Sequence, residues 1–130
     1  LVDQNARRYL FDAVQSQGMG LIVKRPIANG AWGAGSAPSS YAAQYFERAQ
    51  TMQSLGELER APDDRILLAL GFAFAHDPVD TFIVGTQNPD HMRSNIEMVE
   101  QRLPIDDGVV TELHARFERF ADDQDWVQLS

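Results

Sequence analysis

The chain has 130 residues, a hydrophobic fraction of 44% and a formal net charge of -8 at pH 7. This length suits one compact domain or a piece of a larger one, and the hydrophobic fraction argues against a disordered tail. The negative charge disfavours nucleic acid and anionic membranes as partners, because its long-range field repels phosphates.

The chain contains no cysteine, which excludes a disulfide framework and a thiolate metal site and fits a reducing compartment such as the cytoplasm. No apolar run approaches the roughly 20 residues of a membrane helix. The first residues lack the basic and apolar regions of a signal peptide, and Leu1 replaces an initiator methionine. We therefore expect a cytoplasmic protein whose sequence begins at an interruption.

Helical and extended patterns alternate along the first part of the chain. Apolar spacing after a cap at Asn5 predicts a helix that ends at Gly18. The apolar run within Met19 to Lys24 is continuous rather than alternating, which predicts a strand buried on both faces, as in a parallel sheet. Residues 25–40 are rich in Gly, Ala, Ser, Pro and Asn and predict a long loop, a kind of segment that often carries function.

Two helices are predicted next. Ser39 or Ser40 could cap the first, which fades near Gly56. Its predicted apolar stripe is Tyr41, Tyr45, Ala49 and Met52. The second is predicted to begin at Pro62 to Asp64, since proline and carboxylates suit a first turn. The following residues, Ile66 to Ala75, are apolar nearly all round, which predicts deep burial.

A second strand and two further helices complete the predicted elements. Thr81 to Val84 is the strand, and Gly85 to Pro89 leads directly into a helix. The predicted inner face of that helix is Met92, Ile96, Val99 and Leu103. The last helix, after Pro104, is predicted to bury Val109, Leu113, Phe117 and Phe120. Strands alternating with helices predict an α/β fold with parallel crossovers, in which two strands leave open edges that something else must cover.

The sharpest candidate site is the passage from the second strand into its helix, Val84 to His91. Free backbone N–H groups at a helix start, with the helix dipole, can bind an anion, and Thr86 and Gln87 could add donors. The alternative, which this segment alone favours, is that Asn88 caps the helix, Pro89 fills its first turn and Thr86 satisfies local backbone groups.

The second candidate site follows the first strand, where Lys24 and Arg25 stand in an acidic protein. In eight-stranded α/β barrels the site lies at the carboxyl ends of the strands, and the last two loops often hold phosphate. The alternative is that both cations pair with surface carboxylates. Gly33 to Ser36 resembles a phosphate cradle only superficially.

Other candidate residues carry weaker signals. His76, His91 and His114 are too scattered for a zinc spacing and are read as surface or capping residues. The acidic run at 122–125 lacks the remaining ligands of a calcium loop. Trp32 and Trp126 could line a ligand pocket or serve as packing, with neither favoured.

Two segments resemble parts of the aldo-keto reductase barrel. Met19 to Gly30 (MGLIVKRPIANG) resembles the family's seventh strand and its loop, and Phe82 to Asn95 resembles the eighth strand and the helix after it, including the family's terminal asparagine. Leu1 to Gln4 looks like the end of the sixth strand. The resemblance therefore covers nearly the whole chain.

The resemblance implies that residues 1–130 are the C-terminal portion of a TIM (β/α)8 barrel, from the end of strand 6 through strand 8 and the C-terminal helices. It implies an enzyme that uses NADPH to reduce aldehydes or ketones by hydride transfer. On this basis Pro26, Ile27 and Gly30 would approach the pyrophosphate. The residues implied around the adenosine ribose, its phosphate and the adenine are Gly85, Thr86, Gln87, His91 and Asn95.

The sequence departs from the family pattern at the 2′-phosphate. Many relatives have lysine where Gly85 stands and arginine or glutamine where His91 stands, so the choice between NADP(H) and NAD(H) stays open, although His91 or Arg93 could compensate. The family's catalytic Asp, Tyr, Lys and His lie upstream of Leu1. We therefore assign no catalytic residue and no metal ligand, and we expect the chain alone to be inactive as a reductase.

Three hypotheses follow from these patterns. The chain is a portion of an NADP(H)-dependent oxidoreductase that acts on a small-molecule carbonyl substrate together with the upstream half of its barrel. It is a non-catalytic partial barrel that self-associates with another copy or serves as an interaction module. It is an independent nucleotide-binding α/β domain. Upstream sequence carrying the four catalytic residue types would favour the first of these, and defined cofactor binding by the chain alone would favour the third.

Overall fold

A computed structural model describes residues 1–129. Six α-helices and two β-strands are found within these residues. In chain order they are α1 (Asn5–Tyr9), α2 (Phe11–Ser16), β1 (Ile22–Lys24), α3 (Ala43–Gln53), α4 (Arg65–Phe74), β2 (Thr81–Ile83), α5 (Pro89–Arg102) and α6 (Asp107–Ala121). Short 3-10 turns at Ala28–Gly30 and Ser40–Ala42 punctuate the loop between β1 and α3.

The two strands pair in parallel, as the α/β reading predicts. Ile22 lies opposite Thr81 and Lys24 opposite Ile83, with α3 and α4 in the crossover between the strands. Within residues 1–129 the sheet has only these two strands. A closed eight-stranded barrel is therefore not formed by these residues.

The prediction that the first strand is buried on both faces is wrong. Side chains of β1 and β2 alternate between exposed and half-buried, and Ile22 and Ile83 are 61% and 60% exposed. Phe82 turns the other way and packs its ring 4.0 Å from that of Phe74. The sheet is covered on one face only, because no described element lies over Ile22 and Ile83.

The first predicted helix is broken into two. Leu10 has φ −120° and ψ −32°, which ends α1, and α2 begins at the next residue. Asn5 is not the cap, because its buried side chain donates instead to Asp3 and to the distant carbonyl oxygen of Trp126. The predicted stop at Gly18 is confirmed, since Gly18 has φ +61° and the N–H groups of Gly18 and Met19 return to α2 carbonyls.

The helix α4 is the buried centre of the fold, as its nearly continuous apolar sequence predicts. Every residue from Leu67 to Ala73 is buried. Asp64 caps the helix by accepting from the N–H groups of Ile66 and Leu67, so Pro62 precedes the helix rather than filling its first turn. Full burial of each leucine or phenylalanine stabilises the fold by about 1.5–3 kcal/mol.

The helices α3 and α6 complete the core. Ser39 accepts from the N–H of Ala42 and so caps the entry to α3, as predicted. The stripe on α3 is confirmed except at its start, where Tyr41 is 54% exposed. On α6 the predicted set is buried apart from Phe120, which is half-buried.

The predicted inner face of α5 is wrong in its first half. Met92 and Ile96 are exposed, and no residue of α5 is fully buried. The helix packs against α4. Gly71 of α4 leaves no room for a side chain, because a Cβ there would clash with Ile105, which follows α5. No described element covers the exposed part of the apolar stripe of α5, Met92 and Ile96.

The first four residues are without regular secondary structure. Leu1, Val2 and Gln4 are nonetheless buried, with Val2 0% exposed. They lie in the same core as α4 and α6, so the chain start is an integral part of the packing.

Candidate functional site

The turns that leave β1 and β2 lie at the same edge of the sheet. Because Lys24 lies opposite Ile83 in a parallel pair, Pro26 and Gly85 each follow two residues after the last paired position. The carboxyl ends of parallel strands meet at one edge, which is where α/β folds bind their ligands. The two candidate sites of the sequence are therefore one region.

The turn after β1 has an unusual backbone. Arg25, Ala28 and Asn29 have φ values of +59°, +49° and +55°, and Gly30 has +73°. Glycine adopts this region freely and asparagine tolerates it, so the strain lies mainly at Arg25 and Ala28, at about 1–3 kcal/mol each. Strain of this kind persists where the surroundings fix it, and it is concentrated at ligand sites.

Three polar side chains belong to this turn. The Asn29 side-chain Nδ2 is buried and has no hydrogen-bond acceptor within residues 1–129. The Arg25 guanidinium donates to the Tyr45 hydroxyl at 3.3 Å and lies 5.1 Å from the ring centre of Tyr41. Arg65, at the start of α4, donates to the Gly30 carbonyl oxygen at 3.3 Å. The turn is thus flanked by two arginines and contains one unpaired donor.

The predicted site residues of this turn differ in their exposure. Pro26 is buried, whereas Ile27 and Gly30 are half-buried. The alternative for the basic pair, ion pairing with surface carboxylates, is not seen at Lys24 or Arg25 among the ion pairs of residues 1–129. Arg25 contacts aromatic side chains instead.

The turn after β2 has the capping arrangement considered as the alternative. The Asn88 side chain accepts from the Asp90 N–H at 2.9 Å, and Pro89 is the first residue of α5. The Thr86 hydroxyl accepts from the Asn88 N–H and donates to its carbonyl oxygen. Gly85, Thr86 and Gln87 are all exposed, and a Cβ on Gly85 would meet nothing within 4 Å. The capping accounts for Thr86 and Asn88 and leaves Gly85 and Gln87 open to solvent.

Two predicted site residues lie on α5. His91 is exposed and Asn95, four residues later, is half-buried, so both belong to one side of the helix. Arg93, the other residue that could compensate at the 2′-phosphate, forms an exposed ion pair with Asp90 at 2.7 Å. An exposed pair of this kind is weak and exchanges partners readily.

A cavity of about 240 Å³ extends from the first turn into the molecule. Its lining includes Arg25, Pro26 and Tyr45 from the first turn and α3, and also Gln4, Phe72 and His76. Neither tryptophan lines this cavity: Trp32 is buried, and the Trp126 ring packs against Phe117 at 5.6 Å. Both tryptophans therefore belong to the packing of the core and not to the wall of this cavity.

The fold brings together two histidines that the sequence leaves apart. The Nε2 atoms of His76, just beyond α4, and His114, in α6, are 3.2 Å apart. Burial lowers the pKa of both, and Arg7 adds to the effect at His114, whose pKa falls to about 4. Both imidazoles are therefore neutral at pH 7. Their 38-residue separation follows no known metal spacing, so sequence reasoning had no signal for this pair.

No group of three or more His, Asp and Glu side chains within residues 1–129 is arranged to hold a metal ion. None of the helices in this part of the chain is both long and apolar enough to cross a membrane.

Comparison with known proteins gives one match. The family model described as the aldo/keto reductase family matches residues 1–115. The searches of curated proteins and of solved structures give no significant match. The family match spans both candidate turns, all of α5 and the first half of α6. The chain belongs to the aldo/keto reductase family, which is a family of oxidoreductases.

Proposed function

We propose that this chain is the C-terminal portion of an NADP(H)-dependent reductase of aldehydes or ketones, and that it binds the phosphate and adenosine side of the cofactor. In this proposal residues 1–130 run from the end of barrel strand 6 through strand 8 and the C-terminal helices. The observation that carries the proposal is the pair of adjacent turns after β1 and β2, which both leave one edge of a parallel sheet.

The residues at this edge fit a dinucleotide. A pyrophosphate needs hydrogen-bond donors and positive charge, and the first turn contains the unpaired Asn29 amide between Arg25 and Arg65. The strained backbone around it fits a segment shaped for a ligand. Asn29 and Arg65 were absent from the sequence-based site, and we add them to Pro26, Ile27 and Gly30.

The second turn and α5 would hold the adenosine. Gly85 leaves open space above the backbone, Gln87 has an exposed amide, and the α5 N-terminus is favourable for negative charge. His91 and Asn95 lie on one side of the helix behind this turn. In our proposal Thr86 orders the turn through its hydrogen bonds to Asn88.

These residues would orient the cofactor without taking part in hydride transfer. The bound nicotinamide cofactor supplies the hydride, and a proton donor is required for the carbonyl oxygen. We propose no such donor within these 130 residues. Tyr45 is buried beside Arg25, and the Tyr41 ring stacks on the Arg25 guanidinium. Both tyrosines therefore belong to the packing around the first turn.

Calorimetric titration of NADP⁺ into the 130-residue chain tests the cofactor-binding part of the proposal, which a reductase portion shares with an independent nucleotide-binding domain. We expect one molecule bound per chain, and Asn95→Ala to weaken binding about tenfold, the effect of one lost hydrogen bond of about 1.4 kcal/mol. The matched control is Ser94→Ala, which removes a polar group from the adjacent exposed position. Absence of binding, or equal affinity in both variants, would contradict the proposal.

One observation favours the alternative of a self-associating partial barrel. Ile22 and Ile83 lie diagonally across the two strands on the uncovered sheet face, and neither strand has a partner on its outer edge within residues 1–129. Open strand edges and exposed apolar side chains promote association. Sedimentation of the chain with and without NADP⁺ separates the two functions, since the alternative requires association and no cofactor binding.

A further inference from the structure

The hydrogen bonds around His114 fix the position of its proton. Gln4 is 4% exposed, and its amide nitrogen donates to the carbonyl oxygens of Leu1 at 3.1 Å and Leu113 at 3.0 Å. The amide oxygen of Gln4 must therefore be the atom that faces His114 Nδ1 at 2.7 Å. That oxygen only accepts, so Nδ1 carries the proton and Nε2 of neutral His114 presents a lone pair.

The same reasoning applies to His76. Its Nδ1 lies 3.3 Å from the carbonyl oxygen of Ala73 in the last turn of α4. A carbonyl oxygen only accepts, so this contact favours a proton on Nδ1, and we assign the lone pair to Nε2. The two lone pairs thus face each other across 3.2 Å. Two acceptors at this distance repel each other unless a cation lies between them.

The spacing suits a metal ion. Zinc binds imidazole nitrogen at about 2.0–2.1 Å, which puts two nitrogens on a tetrahedral ion roughly 3.3 Å apart. Histidines that ligate metals usually donate their other ring N–H to a carbonyl or amide oxygen, as both histidines do here. We propose that His76 and His114 form a two-histidine site for a divalent transition-metal ion such as Zn²⁺.

The surroundings decide how the site can be filled. A surface cleft reaches His76 from solvent and is lined by two carboxylates, Asp12 and Asp77, and by two arginines, Arg7 and Arg8. Both arginines oppose a cation, but each is ion-paired with carboxylates outside the cleft, Arg7 with Glu118 and Arg8 with Glu118 and Asp122. The pair offers two protein ligands, so water or a small anion completes the coordination.

The bound ion would join three parts of the fold. His76 follows α4, His114 belongs to α6, and Gln4 ties the pair to the chain start. An ion that binds only the folded chain raises its stability by mass action. This inference is independent of the cofactor proposal, because none of its residues belongs to the two turns.

Titration of Zn²⁺ into the untagged chain at pH 7.5 tests the site, with thermal unfolding in Zn²⁺ and in EDTA as a second readout. We expect one ion per chain, a higher Tm in Zn²⁺, and at least about a tenfold loss of affinity in His76→Gln and in His114→Gln. Gln4→Met should weaken binding by about 10–100-fold through the hydrogen bond to His114. The control is His91→Gln, which removes an exposed histidine and should bind as the unaltered chain does.

The protonation of the two imidazoles can be measured on the unaltered, metal-free chain, so this second test does not require that any variant folds. Long-range ¹H–¹⁵N NMR of the imidazoles should show both His76 and His114 protonated at Nδ1 at pH 7.5. A proton on Nε2 of either ring would mean a direct hydrogen bond between the histidines and would overturn the proposal. Zn²⁺ binding that His91→Gln abolishes and His114→Gln leaves unchanged would overturn it as well.

Discussion

The Arg116 guanidinium is 3% exposed, and its charge is satisfied by acceptors from two regions of the chain. It donates to Glu112 on its own helix and to the carbonyl oxygen of Met52 in the last turn of α3. It also donates to the carbonyl oxygens of Gly56 and Glu57, just beyond α3. These carbonyls lack intrahelical partners because the helix ends there. Arg116, on α6, therefore caps the end of α3. It holds α3 in place, and α3 in turn carries Tyr45, which lies beside the first turn.

Replacement of Arg116 by alanine leaves the buried Met52 carbonyl oxygen without this donor, removes the donors to the part-buried carbonyls of Gly56 and Glu57, and opens a cavity. We expect Arg116→Ala to lower the free energy of unfolding by about 2–4 kcal/mol, since each buried unpaired group costs about 1–3 kcal/mol. The measurement is urea unfolding followed by circular dichroism. Arg119→Ala, on an exposed position of the same helix, is the control and should change stability by less than about 0.5 kcal/mol. A similar loss in both variants would contradict this role of Arg116.

Single residues could be predicted from the sequence where their partners are close along the chain. Asn88 caps α5 through an N–H group two residues away, so local spacing was sufficient. Asp64 marked the start of α4 in the same way, although it was expected in the first turn and is the N-cap. Residues with distant partners could not be found in this way. Arg65 reaches Gly30 across 35 positions and His114 reaches Gln4 across 110, and these contacts depend on the complete fold.

At the level of elements, α4 governs the arrangement of the site. It is buried along most of its length, its first residue contacts the loop after β1, and the segment beyond it leads through His76 into β2. Its apolar sequence made its burial predictable. Exposure of the sheet face and of Met92 and Ile96 on α5 was not predictable, because an apolar stripe shows which side of an element prefers burial and not whether a covering layer is present.

The cap of α4 provides a test at this scale. Asp64 accepts from two N–H groups, at 2.8 Å and 3.2 Å, and its charge interacts favourably with the helix dipole. We expect Asp64→Ala to destabilise the chain by about 1–2 kcal/mol in urea unfolding. Asp63→Ala is the matched control, because Asp63 is exposed, is adjacent and does not cap the helix. Equal effects of the two substitutions would show that the helix is not held by this cap.

For the whole molecule, the parallel pairing of two short strands is the feature on which function depends. The pairing joins residues 59 positions apart in sequence, with α3 and α4 between them, and places both turns at one edge. The α/β class and the parallel direction could be predicted from the alternation of strands with helices. The strained backbone of the first turn could not be predicted from the sequence. Arginine and alanine, found at Arg25 and Ala28, usually avoid positive φ, and asparagine, found at Asn29, adopts it only occasionally.

Backbone NMR of the ¹⁵N-labelled chain during titration with NADP⁺ tests the central claim most directly. If the two turns hold one dinucleotide together, amide signals of residues 27–30 and of residues 85–88 and 90–95 both shift, and both sets saturate with the same dissociation constant. Shifts confined to one of the two segments, or two sets that saturate at different NADP⁺ concentrations, would contradict a shared site.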